Sequence, residues 1–292
     1  MRWILAKQAD LSSHISKVHV VLQGGLGNQL FQFTHGVARS LQLNAPLVLE
    51  DQMLLRDNLR DYSLHAWSLA ANVTYQVALK DEFLHFNESK INDKEGIQTI
   101  QEESYHYTEV NERLHAGVSY RFLGYWQSEL NFSPFQPVLK KFLRAGLVSE
   151  NSIGGTSLHI RRGDFVNNPK TLAYHGILDF EYYVKAISLL DETTKDIDVI
   201  SDSFQEIGDL IAKLEIATGK KFNLRTDLTD EISAIRSLAS SSQIIVANSS
   251  FSWWGAYLSD APKIIAPRKY FSDKTLRELN ISDLYPKGWI LV

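Results

Sequence analysis

Short apolar runs alternate with stretches of helical spacing along most of this chain. Val18 to Leu22 is nearly continuous in apolar residues, as a strand buried on both faces would be. Gly24-Gly25-Leu26-Gly27 then reads as a tight turn. From Asn28 to Leu43, positions Leu30, Phe31, Thr34, Val37, Ala38 and Leu41 recur at the spacing of one helix face. Leu47 to Leu49 is the next strand, which completes a βαβ opening. Ser119 to Tyr125 reads as a further strand, and Phe135 to Ala145 as a helix behind Pro134. Between about Asp51 and Asn111 helix and strand signals mix, and the pattern orders no elements.

The alternation is clearer in the second half. Strand Thr156–Arg161 is followed by a loop and a helix over Phe180–Leu190. Strand Ile197–Ser201 precedes a helix over Phe204–Ala217, and a shorter strand lies near Phe222–Arg225. Helix Glu231–Ala239 leads to strand Gln243–Ala247, helix Phe251–Leu258 and strand Lys263–Ala266. Short apolar strands separated by amphipathic helices predict a parallel sheet covered on both faces. The fold class expected is therefore α/β. Two such halves suggest twin Rossmann-like domains with a cleft between them, residues 18–150 and residues 151–292. The polar, glycine-containing stretch Glu150 to Gly155 is the expected boundary. Residues 1 to 17 read as a polar lead-in with no assigned role.

Composition narrows the classes. The chain has 292 residues, 44% hydrophobic and 22% charged, with a net charge of −4. A general nucleic-acid surface is not implied, and phosphate binding must come from local clusters. The absence of cysteine excludes disulfides, thiolate metal sites and a cysteine nucleophile. No run approaches 18 apolar residues, and Met1 to Leu5 is too short for a signal-peptide core. The expectation is a cytoplasmic protein with at most peripheral membrane contact. On that reading the Asn-x-Ser/Thr triplets at Asn72, Asn87, Asn131, Asn248 and Asn280 are chance.

The candidate chemistry sits where strands end. In open α/β sheets, ligands bind beyond the carboxyl ends of the strands. His159, Arg161 and Asp164 lie at one such end, Ser201, Asp202 and Ser203 at the next. Asn248, Ser249 and Ser250 follow a third strand and open a helix. Two adjacent guanidiniums, Arg161-Arg162, are costly to leave without an anion, and their planar forks match phosphate oxygens. A helix N-terminus rich in hydroxyls supplies free amides for an anion. Together these suit a nucleoside diphosphate, with a carboxylate for base or ribose. Each has a plainer alternative: Arg161-Arg162 in structural ion pairs with Asp164, Asp179 or Glu181, Asp202 or Asn248–Ser250 as helix caps, and Trp253-Trp254 as core.

Gly25-x-Gly27-x-x-Leu30 is a broken dinucleotide fingerprint, since its third position should be Gly or Ala. Glu50, after the second strand, mimics the ribose-binding acid of that motif. The glycines serve equally to let backbone approach a sugar, with Asn28 and Gln29 as donors, or simply to turn the chain. Asp196-Ile197-Asp198 spells a metal motif of many glycosyltransferases but sits at the start of its strand, the wrong end for the site. No metal-ligand spacing and no nucleophile elbow appear, so no metal and no cofactor is expected.

At this point the chain resembles the bacterial α-1,2-fucosyltransferases. Their H-x-R-R-x-D type motif is matched by His159–Asp164. Further matches are Gly24-Gly25-Leu26-Gly27-Asn28-Gln29-Leu30-Phe31-Gln32, Gly124-Tyr125-Trp126-Gln127-Ser128-Glu129, and Ala247-Asn248-Ser249-Ser250-Phe251-Ser252-Trp253-Trp254-Gly255-Ala256, with Trp289 in a similar closing segment. The blocks span about Val18 to Val292 in the expected order. The resemblance implies a glycosyltransferase B-type fold of two Rossmann-like domains facing a cleft. It implies GDP-L-fucose as donor, transfer to the 2-hydroxyl of a galactose residue, inversion at the fucose carbon, and no required metal. Arg161 would pair with the departing β-phosphate, His159 and Asp202 would lie near guanosine, and Ser249, Ser250 and Phe251 would cradle phosphate. Gly27 and Asn28 would face the donor sugar or the acceptor, and Asp164 is the candidate general base. The family often has two adjacent acids after the serine of its second strand end, whereas this chain has Ser201-Asp202-Ser203. A galactose-terminated or lipid-linked glycan of a surface polysaccharide is the expected acceptor. The competing readings are an NAD-dependent Rossmann oxidoreductase, which Leu30 opposes, and a non-catalytic nucleotide-sugar-binding protein.

Overall fold

The computed structural model describes residues 16–56, 61–64, 96–110, 113–145, 147 and 154–292. Most of the polar lead-in, the triplets at Asn72 and Asn87, and the boundary expected at 150/151 lie outside the described residues. The chain forms two compact units, Met1–Leu139 and Lys140–Val292. The division falls within the helix Gln136–Arg144. On the far side of it, Lys140 Nζ donates to the Ser259 carbonyl at 3.0 Å and Arg144 pairs with Asp260.

In the first unit, β1 (Val18–Val21), β2 (Leu47–Glu50), β3 (Gln98–Gln101) and β4 (Tyr120–Leu123) form a parallel sheet in the order β2-β1-β4-β3. The helix Leu26–Leu43 follows β1 and begins two residues before its apolar spacing predicts, with extended Gly25 as its N-cap. Gly24 has φ +76, and a Cβ there would lie 2.3 Å from Asn28 Nδ2, so the turn needs glycine. Gly36 lets the helix press on the sheet: a Cβ would lie 2.6 Å from Val20 Cγ2. Val18, Val20, Leu30, Phe31 and Phe122 are fully buried between helix and strands. After β4, Pro134 sits inside a 3-10 turn, Glu129–Phe135, rather than just ahead of a helix.

In the second unit, β5 (Thr156–Ile160), β6 (Asp196–Ser201), β7 (Lys221–Leu224), β8 (Gln243–Ile245), β9 (Lys263–Ala266) and β10 (Ile290–Leu291) are all parallel, ordered β10-β9-β8-β5-β6-β7. The chain builds outward from β5 through β6 and β7, then crosses back to start again at β8. This is the doubly wound order of a Rossmann sheet. The helices Phe180–Ser188, Gly208–Thr218, Glu231–Ala239 and Ser250–Tyr257 connect the strands. Ile160, Ile197, Val199 and Ile245 pack against helix residues Tyr183, Ala186 and Leu214 on one face of the sheet. Ile244 and Val246 pack against Leu238 and Ala256 on the other. The expected α/β class is the one the chain forms.

Two short helices, Gly163–Asn167 and Pro169–His175, occupy a stretch whose pattern reads as loop. Asn168 caps the second by accepting from Lys170 N and Thr171 N at 3.0 and 3.3 Å, with Pro169 at the first helical position. Gly176, at φ +67, ends it. Among the described residues, no helix is long and apolar enough to cross a membrane.

Candidate active site

The strand order of the second unit reverses between β5 and β8, so the crevice beyond their carboxyl ends is where an open α/β sheet takes a ligand. His159 and Arg161 leave β5 there, and Ser201-Asp202 leaves the neighbouring β6. Ala247 to Phe251 runs from β8 into a helix. The residues proposed from the second half of the sequence therefore gather at one switch point.

Their partners divide the labour. The Arg161 guanidinium pairs with Asp164, lies 3.2 Å from Asp202 Oδ2, and rests 5.3 Å from the centre of the Phe165 ring. The anion that the adjacent arginines were expected to need is thus supplied within the chain, by two carboxylates. Arg161 Nε is buried without a hydrogen-bond partner. Arg162 points elsewhere. It is buried, donates through Nη1 to the Arg161 carbonyl at 3.0 Å and through Nη2 to the Leu178 carbonyl at 3.2 Å. Asp202 is held from below, its Oδ1 accepting from Arg162 N at 2.8 Å.

His159 is buried, and its ring centre lies 5.5 Å from that of Phe251, so one contact joins the β5 and β8 ends. Burial, reinforced by the Arg161 charge, pushes its pKa down to about 3. The ring is neutral near pH 7, and its Nδ1 is buried without a partner. Ser249 caps the helix Ser250–Tyr257, its Oγ accepting from Phe251 N at 3.3 Å. Ser249, Ser250 and Phe251 are all half-buried at the start of an otherwise buried helix, and Phe251 also packs against the core. Asn248 was expected to meet the ligand. Its Nδ2 instead faces three backbone carbonyls, His175 at 3.3 Å and Gly176 and Tyr270 at 3.4 Å. It ties the β8 end to two loops, and at 2% exposure it is no glycan acceptor. Trp253 belongs to the core, its Nε1 donating to the Leu284 carbonyl at 2.8 Å.

The first unit brings its two motif blocks together in the same way. Its order reverses between β1 and β4, and the Gly24–Gln32 and Gly124–Glu129 blocks follow those strands. Asn28 Oδ1 accepts from Gln127 Nε2 at 2.7 Å, and Gln32 Nε2 donates to the Gly124 carbonyl at 3.1 Å. Gln29 is buried, its amide bound to the carbonyls of Gly24 and Asp61 and to Ser63 N. Gly27 is buried at the start of the helix. Glu102, which the sequence pattern did not single out, accepts from Tyr125 N at 2.7 Å and Trp126 N at 2.8 Å. It fixes a turn in which Trp126 adopts φ 57 and stacks on His35 at 4.2 Å.

Two acidic signals are resolved by their partners. Glu50 is not free for a ribose: His19 Nδ1 and Arg121 Nε each lie 3.0 Å from its Oε1. Asp196 pairs with Lys221 at 3.7 Å and Asp198 with Arg225 at 3.1 Å, at the amino end of β6.

Phe165, His175 and Tyr270 lie around Arg161, with Phe271 stacked behind His175, and sequence reasoning missed all four. The rings of Phe165 and His175 stack at 4.6 Å, and those of His175 and Phe271 at 5.4 Å. Tyr270 is buried, which raises its pKa against the lowering effect of the Arg161 charge. Phe165 directly follows Asp164 in the motif, and that adjacency was the one signal available.

A family model described as Glycosyl transferase family 11 matches residues 2–292. An alpha-1,2-colitosyltransferase of Escherichia coli is 30% identical over 301 residues, covering 93% of this chain and 97% of the relative. The O-antigen biosynthesis glycosyltransferase WbnK of Escherichia coli is 27% identical over 307 residues, covering 92% and 98%. Among solved structures, the fucosyltransferase NodZ from Bradyrhizobium is similar over 86% of this chain and 96% of its own, at 10% identity and a TM-score of 0.42.

Proposed function

As this chain belongs to glycosyl transferase family 11, we propose that it moves L-fucose from GDP-L-fucose to the 2-hydroxyl of a galactose residue, in surface-polysaccharide synthesis of the O-antigen type. The observation that carries the reading is the convergence of Arg161, Asp202 and the Ser249–Phe251 helix start at the β5/β8 switch point. A guanidinium, a carboxylate and a hydroxyl-rich helix N-terminus are what a nucleoside diphosphate requires. His159 and Asp202 take the guanosine side, and Ser249, Ser250 and Phe251 take phosphate oxygens. Asn248 shapes their loop. In the first unit, Gly27 and Asn28 are the residues proposed to meet the sugar.

The reaction breaks the bond from the fucose anomeric carbon to the β-phosphate oxygen, and the electron pair leaves with GDP. The acceptor 2-oxygen attacks the opposite face of that carbon, which inverts it, and its proton passes to a base. Asp164 is the proposed base, once released from Arg161. Arg161 opposes the negative charge that grows on the departing phosphate, the kind of preorganised contact worth about 3–4 kcal/mol at a barrier. No metal is assigned a step.

Colitose, which is fucose without its 3-hydroxyl, is the second donor to consider, because a colitosyltransferase is 30% identical to this chain. One experiment separates the readings. The protein is incubated with GDP-fucose or GDP-colitose and a panel of free and lipid-linked galactosides, and the product linkage is determined. An α-1,2-fucosyl product is expected. Arg161→Ala is expected to lower turnover at saturating donor by about 100-fold or more. Near-normal turnover in that variant would remove Arg161 from the mechanism, and GDP binding without transfer to any acceptor would favour a non-catalytic protein.

A further inference from the structure

Among the described residues, β3 is the edge strand of the first sheet, and it is polar: Gln98, Thr99 and Gln101 are exposed, and Ile100 is buried. A cavity of about 550 Å³ runs along this strand, and its lining includes Gln98, Thr99, Gln101, Glu103 and Arg113. That volume is in the range of small-molecule sites, about 300–1,000 Å³. A smaller cavity, of about 10 Å³, shares Gln101, Glu103 and Arg113 with it and reaches Trp126.

Two features set this cavity at the working end of the unit. Gln101 closes β3, and Glu103 lies beyond its carboxyl end, where open α/β sheets take their ligands. The cavity wall is also continuous with the turn that reaches Asn28. Glu102, between those two residues, accepts from Tyr125 N and Trp126 N. A Cβ on residue 124 would lie 2.4 Å from Glu102 Cβ, so the ends of β3 and β4 are in direct contact. Trp126 holds φ 57, a conformation that is costly outside glycine and persists where the surroundings impose it. The next residue, Gln127, donates through Nε2 to Asn28 Oδ1 at 2.7 Å. One hydrogen-bonded turn thus joins the cavity to the residue proposed to meet the sugar.

Glu102 is committed to that turn. Glu103 and Arg113 meet each other at 3.4 Å, with side chains 65% and 53% exposed. So open an ion pair adds little stability, and the fold alone gives no reason for the two charges. A guanidinium beside a carboxylate offers several donors next to several acceptors, which suits neighbouring hydroxyls of a sugar. Gln98, Thr99 and Gln101 add neutral groups of both kinds. Among the described residues, Ile100 is the apolar part of this lining, so a lipid tail or a nucleobase finds little to pack on. We propose that the cavity is the subsite for the sugar that follows galactose in the acceptor glycan, with Glu103 and Arg113 holding its hydroxyls. The proposal rests on the galactose-acceptor reading above and names the residues that recognise the rest of that acceptor. The galactose lies by Asn28, and the glycan extends from it past Gln127 and Trp126 to β3.

The test compares acceptors on the full chain at saturating GDP-fucose or GDP-colitose, whichever it uses. The acceptors are methyl β-galactoside, lactose and a galactosyl-N-acetylhexosamine disaccharide. For at least one disaccharide the parent is expected to have a KM about tenfold below that for methyl β-galactoside. Arg113→Ala and Glu103→Ala are each expected to raise the KM for that disaccharide about fivefold. Their kcat, donor KM and methyl β-galactoside KM are expected to stay within about twofold of the parent's, since both side chains are exposed and folding is preserved. Gln101→Trp, which adds bulk to the lining, is expected to act in the same direction, and it serves if one truncated side chain is replaced by its neighbour. A parent that uses no disaccharide better than methyl β-galactoside would overturn the proposal. So would three variants that all keep the advantage, or that lose equally on every acceptor, because an equal loss lies in the turn rather than in a subsite. A parent that transfers sugar to no galactoside would instead overturn the reading on which the proposal rests.

Discussion

A methyl group on residue 163 would lie 2.1 Å from an Asp202 carboxylate oxygen, and the backbone there has φ +22. Both facts act on one residue of the R-R-G-D motif. Alanine is strained at that φ, and its Cβ would expel the carboxylate that holds Arg162 N and sits 3.2 Å from Arg161. Gly163→Ala is expected to cost about 1–3 kcal/mol of stability and to weaken GDP binding as well. Urea unfolding and calorimetry measure the two effects, and a normal urea midpoint with normal affinity would show that Asp202 does not need the gap. The neighbouring arginines illustrate the same dependence on partners. Arg161 keeps its charged end between the Asp164 and Asp202 carboxylates, while Arg162 commits its fork to backbone carbonyls and lies 5.9 Å from the Tyr183 ring centre. Adjacent in sequence, they differ in role because β5 ends at Ile160 and the chain turns through them into the helix Gly163–Asn167.

At the scale of elements, strands were the most legible. A strand in a covered parallel sheet is apolar on both faces, so β1, β5 and β9 stand out as runs without any knowledge of their neighbours. β3 did not, because only Ile100 of Gln98–Gln101 is buried and the polar residues around it carry no signal. The helices Gly163–Asn167 and Pro169–His175 were missed for another reason: five or seven residues span two turns at most, too few for a 3.6-residue period to declare itself. Of the site, the gathering was readable from the strand-end rule, but the division of roles was not. Asn248 meets carbonyls 22 to 73 residues away, and His175 meets its stacking partners through loops that sequence spacing does not place.

Glu50 also belongs to this scale, since it joins β2 to His19 on β1 and Arg121 on β4. Burial pushes its pKa up, but the His19 hydrogen bond and the Arg121 guanidinium outweigh burial and hold the carboxyl below the usual range. A depressed pKa in the folded state means that folding favours the ionised form. The stabilisation is complete above the unfolded pKa of about 4.3 and is lost as pH falls through the folded value. Glu50→Gln is therefore expected to cost about 3 kcal/mol near pH 7, with parent and variant converging in stability as pH falls below the usual carboxylate range. Denaturant titrations across that range decide it. A gap that stays constant with pH would mean that packing, not charge, makes Glu50 matter.

For the whole molecule, two glycine-bearing or arginine-bearing strand ends compete for the nucleotide, one in each unit. The first unit carries the glycine turn of a dinucleotide site but not its other parts. Leu30 is fully buried in the position where that fingerprint needs a small residue, and Glu50 is held by His19 and Arg121 rather than open to a ribose. The second unit carries the full doubly wound strand order, with Arg161 and a half-buried helix start at its switch point. Ligand binding to the folded state stabilises it by about 2.7 kcal/mol at a concentration of 100 Kd, a rise in melting midpoint of roughly 5–11 °C for a unit of this size. GDP is expected to produce that rise in the parent and not in Arg161→Ala, and NAD to produce none in either. Were NAD to raise the midpoint while GDP did not, the glycine turn after β1 would become the nucleotide site and the carboxylate clasp on Arg161 a purely structural bridge.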